Sequence, residues 1–401
     1  MTDEFCLSAM AVASCLGLGK SATIAPLLAG DRSGIVLRDG TLPGRPVPLG
    51  CLPQPLPPLP ERLRGWDSRN NRLLALLAAE MAPDIDAAIR RFGAHRIAVV
   101  IGTSTSGIAE GEAAIAHHLA NATWPDGFHY RQQETGSGAA FLAELLGLGG
   151  PAYVVATACS SSAKALACGR RLIRAGLADA AIVGGADTLC RMTVCGFSAL
   201  EALSPTPCNP FSANRAGITI GEGGALFLLS PDRAEVAFAG QAESSDAYHI
   251  SAPEPEGRGA VSAMAGALAD AGLALGDIAY VNLHGTATPL NDAMESKAMA
   301  EVFGSLAPPA SSTKAMTGHT LGAAGAVEAA FLWLTLSRQW NPQGQLPPHL
   351  WDGVFDPALP RLNFVMPGAR LGDGPAAALS NSFAFGGSNC CLVLSRTGGY
   401  P

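Results

Sequence analysis

The order of apolar and polar positions predicts strands that alternate with helices. Five short segments are continuously apolar, which is typical of strands covered on both faces. They are residues 96–102 (RIAVVIG), 152–157 (AYVVAT), 180–184 (AAIVG), 225–229 (ALFLL) and 278–283 (IAYVNL). Stretches rich in Ala and Leu between them favour helices, at residues 71–81, 160–175, 260–271 and 322–337. This alternation indicates a layered α/β fold.

The chain divides into two predicted halves. Polar and proline residues interrupt the core pattern near residues 231–257, so we predict domains at residues 1–240 and 241–401. The apolar start could be mistaken for a signal peptide, but Asp3 and Glu4 stand where a basic region should be. We interpret this start as a first core strand and turn. No apolar run is long and clean enough to predict a membrane span.

Composition and charge exclude several classes of protein. Hydrophobic residues make up 48% of the 401 positions and charged residues 15%, a balance that excludes a disordered chain. The net charge of -7 and the lack of a basic tract argue against nucleic-acid binding. Ten cysteines without CxxC spacing predict free thiols in a reducing cytoplasm and no metal site.

Residues 156–162 (ATACSSS) contain a candidate nucleophile. They follow a predicted buried strand and begin a predicted helix. The N–H groups of a first helical turn favour a thiolate, so we expect the pKa of Cys159 to fall toward neutrality. The alternative is an ordinary buried thiol.

Two histidines lie in loops that follow predicted strands. His284 is in NLHGTATP at residues 282–289, and His319 is in STKAMTGHTLG at residues 312–322. Ends of strands in α/β folds are where sites are built, although either histidine could be structural. Residues 381–389 (NSFAFGGSN) predict either a tight turn or a backbone donor for an oxyanion, flanked by aromatic rings.

These four segments together resemble the elongating β-ketoacyl-(acyl carrier protein) synthases. Further family-like segments occur in family order at residues 28–35, 183–187, 221–224 and 244–249. The resemblance implies the thiolase fold, in which two similar βαβαβαββ halves form five layers, α-β-α-β-α. Initiating synthases carry Asn where His319 stands, and chain-length-factor subunits lack the nucleophile.

The resemblance also implies the roles of individual residues. Cys159, His284 and His319 would be catalytic, Lys314 and Glu328 would support them, and the N–H groups of Cys159 and Phe385 would form the oxyanion hole. Asp292 and Glu295 match acidic family positions and are expected to be structural. The remaining implied residues are Phe383, Phe385, Thr105, Phe197 and Ile218 for the gate and acyl pocket, Thr286 and Thr288 for the pantetheine arm, and Arg62, Arg64, Arg69 and Arg72 for docking of the carrier protein.

The implied activity is a decarboxylative Claisen condensation of an acyl thioester on Cys159 with malonyl-carrier protein, in fatty acid or polyketide and polyene elongation. The alternative is a non-condensing partner subunit or a malonyl decarboxylase. The implied partners are an acyl carrier protein and a second subunit, in a homodimer or in a heterodimer with a chain-length-factor-like chain. No cofactor is expected beyond the carrier's phosphopantetheine.

Three departures from the family bear on specificity. Ala384 stands where the family usually has Gly, which predicts a less mobile gate. Ile218 replaces an aromatic residue, and Thr105 replaces a bulky Ile found in some relatives. These smaller side chains predict room for a longer or stiffer acyl chain.

Overall fold

The structure is a computed structural model that describes residues 5–372 and 376–397. Asp3 and Glu4 lie outside the described residues. The strands are β1 Cys6–Ser14, β2 Gly17–Leu18, β3 Ile35–Arg38, β4 Val47–Gly50, β5 Ile97–Gly102, β6 Ala152–Val155, β7 Ala180–Asp187, β8 Ile220–Gly221, β9 Gly223–Ser230, β10 Val236–Ser245, β11 Ile278–Asn282, β12 Ala310–Ser311, β13 Ala377–Ala384 and β14 Ser388–Arg396. The helices are α1 Lys20–Ala29, α2 Arg69–Glu80, α3 Ala82–Phe92, α4 Ile108–Asn121, α5 Ser137–Leu146, α6 Ser161–Arg174, α7 Arg191–Ala199, α8 Arg258–Ala271, α9 Pro289–Phe303, α10 Lys314–Thr317 and α11 Ala324–Leu336.

Two five-stranded halves repeat one topology. The first half has the strand order β6-β5-β7-β9-β1, and the second has β12-β11-β13-β14-β10. If each half is numbered in chain order, both read 3-2-4-5-1. In both halves the first two neighbouring pairs are parallel and the last two are antiparallel. The halves join where β1 meets β10, at the pair Cys6↔Ala237.

Helices cover both faces of each half and produce five layers. Helices α6 and α11 lie between the halves, α2 and α5 cover the outer face of the first half, and α8 and α9 cover that of the second. Residues of β5 alternate accordingly: Ala98 and Val100 face the central core, while Ile97, Val99 and Ile101 face the outer helices. All thirteen residues of α11 are buried, so this helix has no solvent-exposed face. The predicted α/β layering is confirmed.

Two sequence expectations need correction. Strand β6 is the edge of the sheet, and its residues Ala152 and Tyr153 are exposed, so it is not covered on both faces. The polar region near residues 231–257 contains the ten-residue strand β10. The predicted boundary between residues 240 and 241 falls inside that strand, and the division into domains stays a prediction.

A small sheet, β3-β4-β8, packs closely beneath the loop that carries His319. A Cβ atom at Gly50 would lie 2.1 Å from the carbonyl oxygen of Thr317, and one at Gly221 would lie 2.2 Å from the same atom. Only glycine allows this approach, because real Cβ contacts are never so short. The loop therefore lies directly on the β4–β8 pair.

The loops with candidate chemistry gather where the two halves meet. Cys159 follows β6 and precedes α6, His284 follows β11, and His319 follows β12 and the short helix α10. Strand β11 is parallel to both of its neighbours, β12 and β13. The loops that follow these three strands therefore lie at the same edge of the second half. Among the described residues, none of the helices combines the length and apolar character required to cross a membrane.

Gly102, at the end of β5, allows the first turn of α6 to pack against the sheet. A Cβ there would lie 2.2 Å from the backbone nitrogen of Ser162. We predict that Gly102→Ala lowers the free energy of unfolding by about 3 kcal/mol, because backbone atoms must move. The measurement is a urea unfolding curve.

The matched control is Gly196→Ala, because Gly196 lies inside α7 and, apart from its chain neighbours and its own helix backbone, no described residue places an atom within 4 Å of its Cβ position. Alanine should stabilise that helix by up to about 1 kcal/mol. Equal unfolding midpoints for the two variants would contradict the prediction.

Candidate active site

Cys159 lies in a tight turn at the start of α6. The preceding residue, Ala158, has a left-handed backbone with φ of 52°. The hydroxyl of Ser161 donates to the carbonyl oxygen of Ala158 and accepts from the N–H of Thr157 at 2.9 Å. These bonds hold the turn, and Cys159 itself is 6% exposed.

The cysteine and both histidines converge as the sequence predicted. Nε2 of His319 lies 3.0 Å from Sγ of Cys159. The rings of His284 and His319 meet edge to face, with centroids 5.4 Å apart. The potential ligand atoms of all three residues lie within 4.8 Å of one another, close enough to hold a metal ion.

Burial sets the protonation of the sulfur. It raises the pKa of Cys159 to about 11, opposed by the charge of Lys314 and by backbone hydrogen bonds from Phe385 and Cys159. The expectation that the helix start lowers this pKa toward neutrality is therefore wrong. Desolvation disfavours the thiolate more than the helical N–H groups favour it. The resting group is a thiol.

Both histidines are neutral. Burial, and then the charge of Lys314, lower the pKa of His284 and of His319 well below the usual value. Nζ of Lys314 lies 3.4 Å from Nδ1 of His284. An ammonium group only donates, so Nδ1 accepts and the proton of this imidazole is on Nε2. His284 therefore presents an N–H donor to the site.

Lys314 and Glu328 form an ion pair behind His284. The two side chains are 2% and 4% exposed, and Nζ bonds to Oε1 of Glu328. Burial raises the pKa of Glu328 to about 7, and the charge of Lys314 opposes this rise. The pair holds the ammonium group against His284.

Buried carboxylates hold the loop that carries His284. Glu295 accepts from the backbone N–H groups of His284 at 2.8 Å and Gly285 at 2.7 Å. Asp292 accepts from the N–H of Ala287 at 3.1 Å. Each carboxylate also accepts from one asparagine side chain, Asn381 for Glu295 and Asn291 for Asp292, and these contacts favour the structural role expected from the sequence.

Asp187 is a residue that the sequence reasoning did not single out. It is 1% exposed and accepts from the hydroxyl and N–H of Thr105, both at 2.8 Å, and from the N–H of Ala323 at 3.1 Å. It therefore joins the loop after β5 to the turn that follows His319. An acidic residue after the apolar strand β7 was the available signal.

A cavity of about 340 Å³ opens onto the sulfur. Cys159, His284 and His319 line it, as do most residues predicted for the gate, acyl pocket and pantetheine arm. These are Phe197, Ile218, Thr286, Thr288, Phe383 and Phe385. Thr105 is not among the residues that line this cavity, and its hydroxyl is bonded to Asp187. Its place in the acyl pocket stays a prediction.

The turn after β13 presents Phe385 to the cavity. The rings of Phe385 and Phe197 are 5.7 Å apart. The left-handed residues of this turn are Gly386 and Gly387, with φ of 81° and 71°. Ala384 has an ordinary extended backbone, with φ of -104°. Its methyl group is therefore unstrained, and the predicted loss of mobility in the gate stays a prediction.

The four predicted docking arginines fall into two kinds. Arg62 and Arg64 are exposed. Arg69 makes two hydrogen bonds to Glu222, at 2.8 and 2.7 Å, and Arg72 makes two to Asp67, at 2.6 and 2.7 Å. The guanidinium groups of Arg69 and Arg72 are thus paired within the chain, which leaves Arg62 and Arg64 as the exposed candidates, and docking itself stays a prediction.

Comparison with known families gives two matches along the chain. Residues 68–234 match the family model of the β-ketoacyl synthase N-terminal domain, and residues 234–346 match that of the C-terminal domain. Among curated proteins, 3-oxoacyl-(acyl-carrier-protein) synthase 2 of Staphylococcus aureus (strain COL) is 37% identical over 267 residues. The match covers 63% of this chain and 63% of that relative, less than two thirds of its length.

Solved structures match over nearly the whole chain. A ketosynthase (ApeO) from Xenorhabdus doucetiae, solved in complex with its chain length factor (ApeC), superposes with a TM-score of 0.93. It is 45% identical, and the match covers 98% of both chains. The ishigamide ketosynthase/chain length factor superposes with a TM-score of 0.86 at 27% identity, over 98% of this chain and 99% of that one.

The Lys314–Glu328 pair allows a test by unfolding. We predict that Lys314→Met lowers the free energy of unfolding by about 3–5 kcal/mol, because it leaves a buried carboxylate unpaired. The double variant Lys314→Met/Glu328→Leu should recover most of this loss, since no buried charge remains. Urea unfolding of both single variants and the double variant gives the coupling. Additive losses would contradict the prediction.

Proposed function

The chain is a member of the β-ketoacyl synthase family, and on this premise we propose that it is an active 3-oxoacyl-(acyl carrier protein) synthase. It would catalyse decarboxylative condensation in fatty acid or polyketide and polyene elongation. The observation that carries this proposal is the placement of a buried thiol, 3.0 Å from His319, beside a second neutral imidazole in one cavity.

In the first step, Cys159 takes an acyl group from a carrier thioester. The sulfur attacks the carbonyl carbon as its proton leaves, and the carrier thiol departs with a proton. Nε2 of His319 lies 3.0 Å from the sulfur, and as an N–H donor it stabilises the negative charge that develops there. The N–H groups of Cys159 and Phe385 already bond to the sulfur, and this proximity supports their role as donors to the oxyanion.

In the second step, a malonyl thioester loses CO₂. The electrons of the breaking C–C bond form an enolate, whose oxygen accepts hydrogen bonds from the Nε2–H groups of His284 and His319. The enolate carbon then attacks the Cys159 thioester, the C–S bond breaks, and the 3-oxoacyl product leaves while the freed sulfur takes up a proton from solvent. Splitting the reaction in this way replaces one difficult step with two easier ones.

Neutral imidazoles suit this chemistry because they donate without trapping the product as an ion pair. Lys314 bonds to Nδ1 of His284, so a positive charge lies one ring away from the developing enolate. In a buried site this charge stabilises the enolate more than it would in water. Glu328 balances the same charge in the resting enzyme.

Carrier-bound substrates would enter along a polar edge of the cavity. The hydroxyls of Thr286 and Thr288 lie 3.1 Å apart and line the cavity, where they can bond to the pantetheine arm. We assign docking of the acidic carrier to the exposed Arg62 and Arg64. Phe197 and Ile218 form the apolar wall, which would receive the acyl chain. The proposal includes no metal and no cofactor beyond the carrier's arm.

A second thiolase-fold subunit is part of the proposal, as a second copy or as a chain-length-factor-like chain. Edge strand β6 has exposed Tyr153, and α4 has Ile115 and Leu119 at 51% and 81% exposure. An uncovered strand edge and exposed apolar side chains each favour pairing with another chain. Among the described residues, nine of the ten cysteines, all except Cys6, are free thiols, which supports a reducing, cytoplasmic location.

The alternative is a non-condensing relative, either a partner subunit or a malonyl decarboxylase. The presence of Cys159 beside His319 favours the active synthase. Mass spectrometry of the intact protein, incubated with acyl carrier proteins and then with malonyl-carrier protein, distinguishes these functions. Acylated protein followed by a 3-oxoacyl product supports condensation, whereas CO₂ release alone supports decarboxylation.

We predict that Cys159→Ala abolishes acylation and product, while His284→Ala keeps acylation and lowers kcat of condensation by about 100-fold. The physical reason is that one donor to the enolate is lost. Cys190→Ala is the control, because Cys190 is buried to a similar extent, at 5% exposure. Full turnover by the Cys159→Ala protein would end the proposal.

Docking is tested by charge reversal. Arg62→Glu with Arg64→Glu should raise KM for malonyl-carrier protein by about tenfold, because two attractive surface charges become repulsive. The alkylation rate of Cys159 should stay unchanged. Arg90→Glu, which changes another exposed arginine, is the control. If KM of the double variant equals that of the control, the docking surface lies elsewhere.

A further inference from the structure

The position of His319 depends on its backbone. Its N–H donates to the carbonyl oxygen of Thr219 at 2.6 Å, and its carbonyl oxygen accepts from the N–H of Gly221 at 3.0 Å. Nδ1 of its ring is buried and, among the described residues, has no hydrogen-bond partner. The 3.0 Å contact of Nε2 with Cys159 is therefore set by where strand β8 holds this backbone.

Strand β8 is itself short. It contains two residues and pairs with β4 only at Leu49↔Ile220 and Gly50↔Gly221. Because Gly50 and Gly221 both contact Thr317 closely, a displacement of the β4–β8 pair would move the histidine loop as well. Strand β9 begins at Gly223 and is paired on both sides in the large sheet, so the end of β8 depends on how Glu222, the residue between the two strands, is fixed.

Glu222 provides that fixation. It follows Gly221 directly and is 2% exposed. Its N–H donates to the carbonyl oxygen of Gly50 at 2.9 Å, and its Oε1 accepts from the N–H of Leu52 at 3.0 Å. Backbone and side chain of Glu222 thus clamp the ends of β4 and β8 together.

Arg69 joins this clamp to α2. Its Nε and Nη2 donate to the two oxygens of Glu222, which is the bidentate geometry that fixes direction as well as distance. Its backbone N–H donates to Glu110 at 2.8 Å, which anchors the start of the helix. The pair therefore connects a rigid helix to the strand that holds His319.

We propose that Arg69 and Glu222 are positioning residues that hold His319 against Cys159. This inference rests on the proposed function. Replacement of either residue would let β8 shift, lengthen the contact between Nε2 and the sulfur, and weaken donation to the enolate. The role lies in geometry, since neither residue lines the cavity.

The chain offers a matched control in Arg72. It lies one turn along the same helix, its side chain is 36% exposed like that of Arg69, and it makes an equivalent bidentate pair with Asp67. Asp67 otherwise bonds through its backbone to Arg64 and Gln132. That pair therefore fixes α2 without touching β8.

The test compares Arg69→Lys with Arg72→Lys in the full-length protein. Each change keeps the positive charge and removes the pair of guanidinium donors that binds both carboxylate oxygens. The first readout is the rate of Cys159 alkylation by iodoacetamide between pH 7 and 10, where the rate rises with pH. The second is kcat and KM of condensation. Unfolding midpoints of both variants show whether stability accounts for any difference.

We expect Arg69→Lys to shift the rise of the alkylation rate with pH toward higher pH by about one unit, because a lost donor to the thiolate raises the pKa of the thiol. Its kcat should fall by about tenfold with KM unchanged, since small misplacements cost this much. Glu222→Gln should behave like Arg69→Lys, and Arg72→Lys should match the unchanged protein.

The proposal would be overturned if the two lysine variants showed the same pH dependence of the alkylation rate and the same kcat. The proposal would also be overturned if the loss of kcat in Arg69→Lys followed the fall in its unfolding midpoint while the pH dependence of its alkylation rate stayed unchanged. Alkylation of Cys159 does not require condensation. If the protein without substitutions is alkylated but forms no 3-oxoacyl product, the proposed function is contradicted, and the comparison of the two lysine variants remains valid.

Discussion

Removal of one thiol and two imidazoles from water is the constraint on which the rest of the site depends. Burial keeps Cys159 protonated and both histidines neutral, since a charge in this environment costs too much without a partner. The charge nearest the site, on Lys314, is therefore balanced by Glu328. A site made in this way holds hydrogen-bond donors ready and acquires negative charge only while the reaction proceeds.

The repeated topology explains where that buried volume comes from. Each half arranges its strands as 3-2-4-5-1, and two central helices fill the space between the halves. Cys159 begins one of these helices, whereas His284 and His319 come from loops of the other half. The sulfur and the imidazoles can meet only because the two halves pack together. The geometry of the site therefore depends on stable packing between the two halves.

Close backbone approach is the second structural device. Glycines at the end of β5 and in the β4–β8 pair bring the nucleophile helix and the histidine loop within distances that a Cβ atom would forbid. Hydrogen bonds from buried carboxylates then fix these loops: Glu295 holds the backbone at His284, and Asp187 and Glu222 act on either side of His319. Carboxylates suit this task because each oxygen accepts several backbone N–H groups.

The sequence by itself determined the α/β class and several strands and helices of the core, because apolar periodicity is written in neighbouring residues. The convergence of Cys159, His284 and His319 was implied by the resemblance of their ordered motifs to a known family. Tertiary structure decided what depends on distant contacts. The pKa of Cys159 rose because of packing that no local motif records. The hydroxyl of Thr105 donates to Asp187, and Arg69 and Arg72 form ion pairs with Glu222 and Asp67. Strand β6 lies at the edge of the sheet. Each of these outcomes depends on which partner another part of the chain brings within reach.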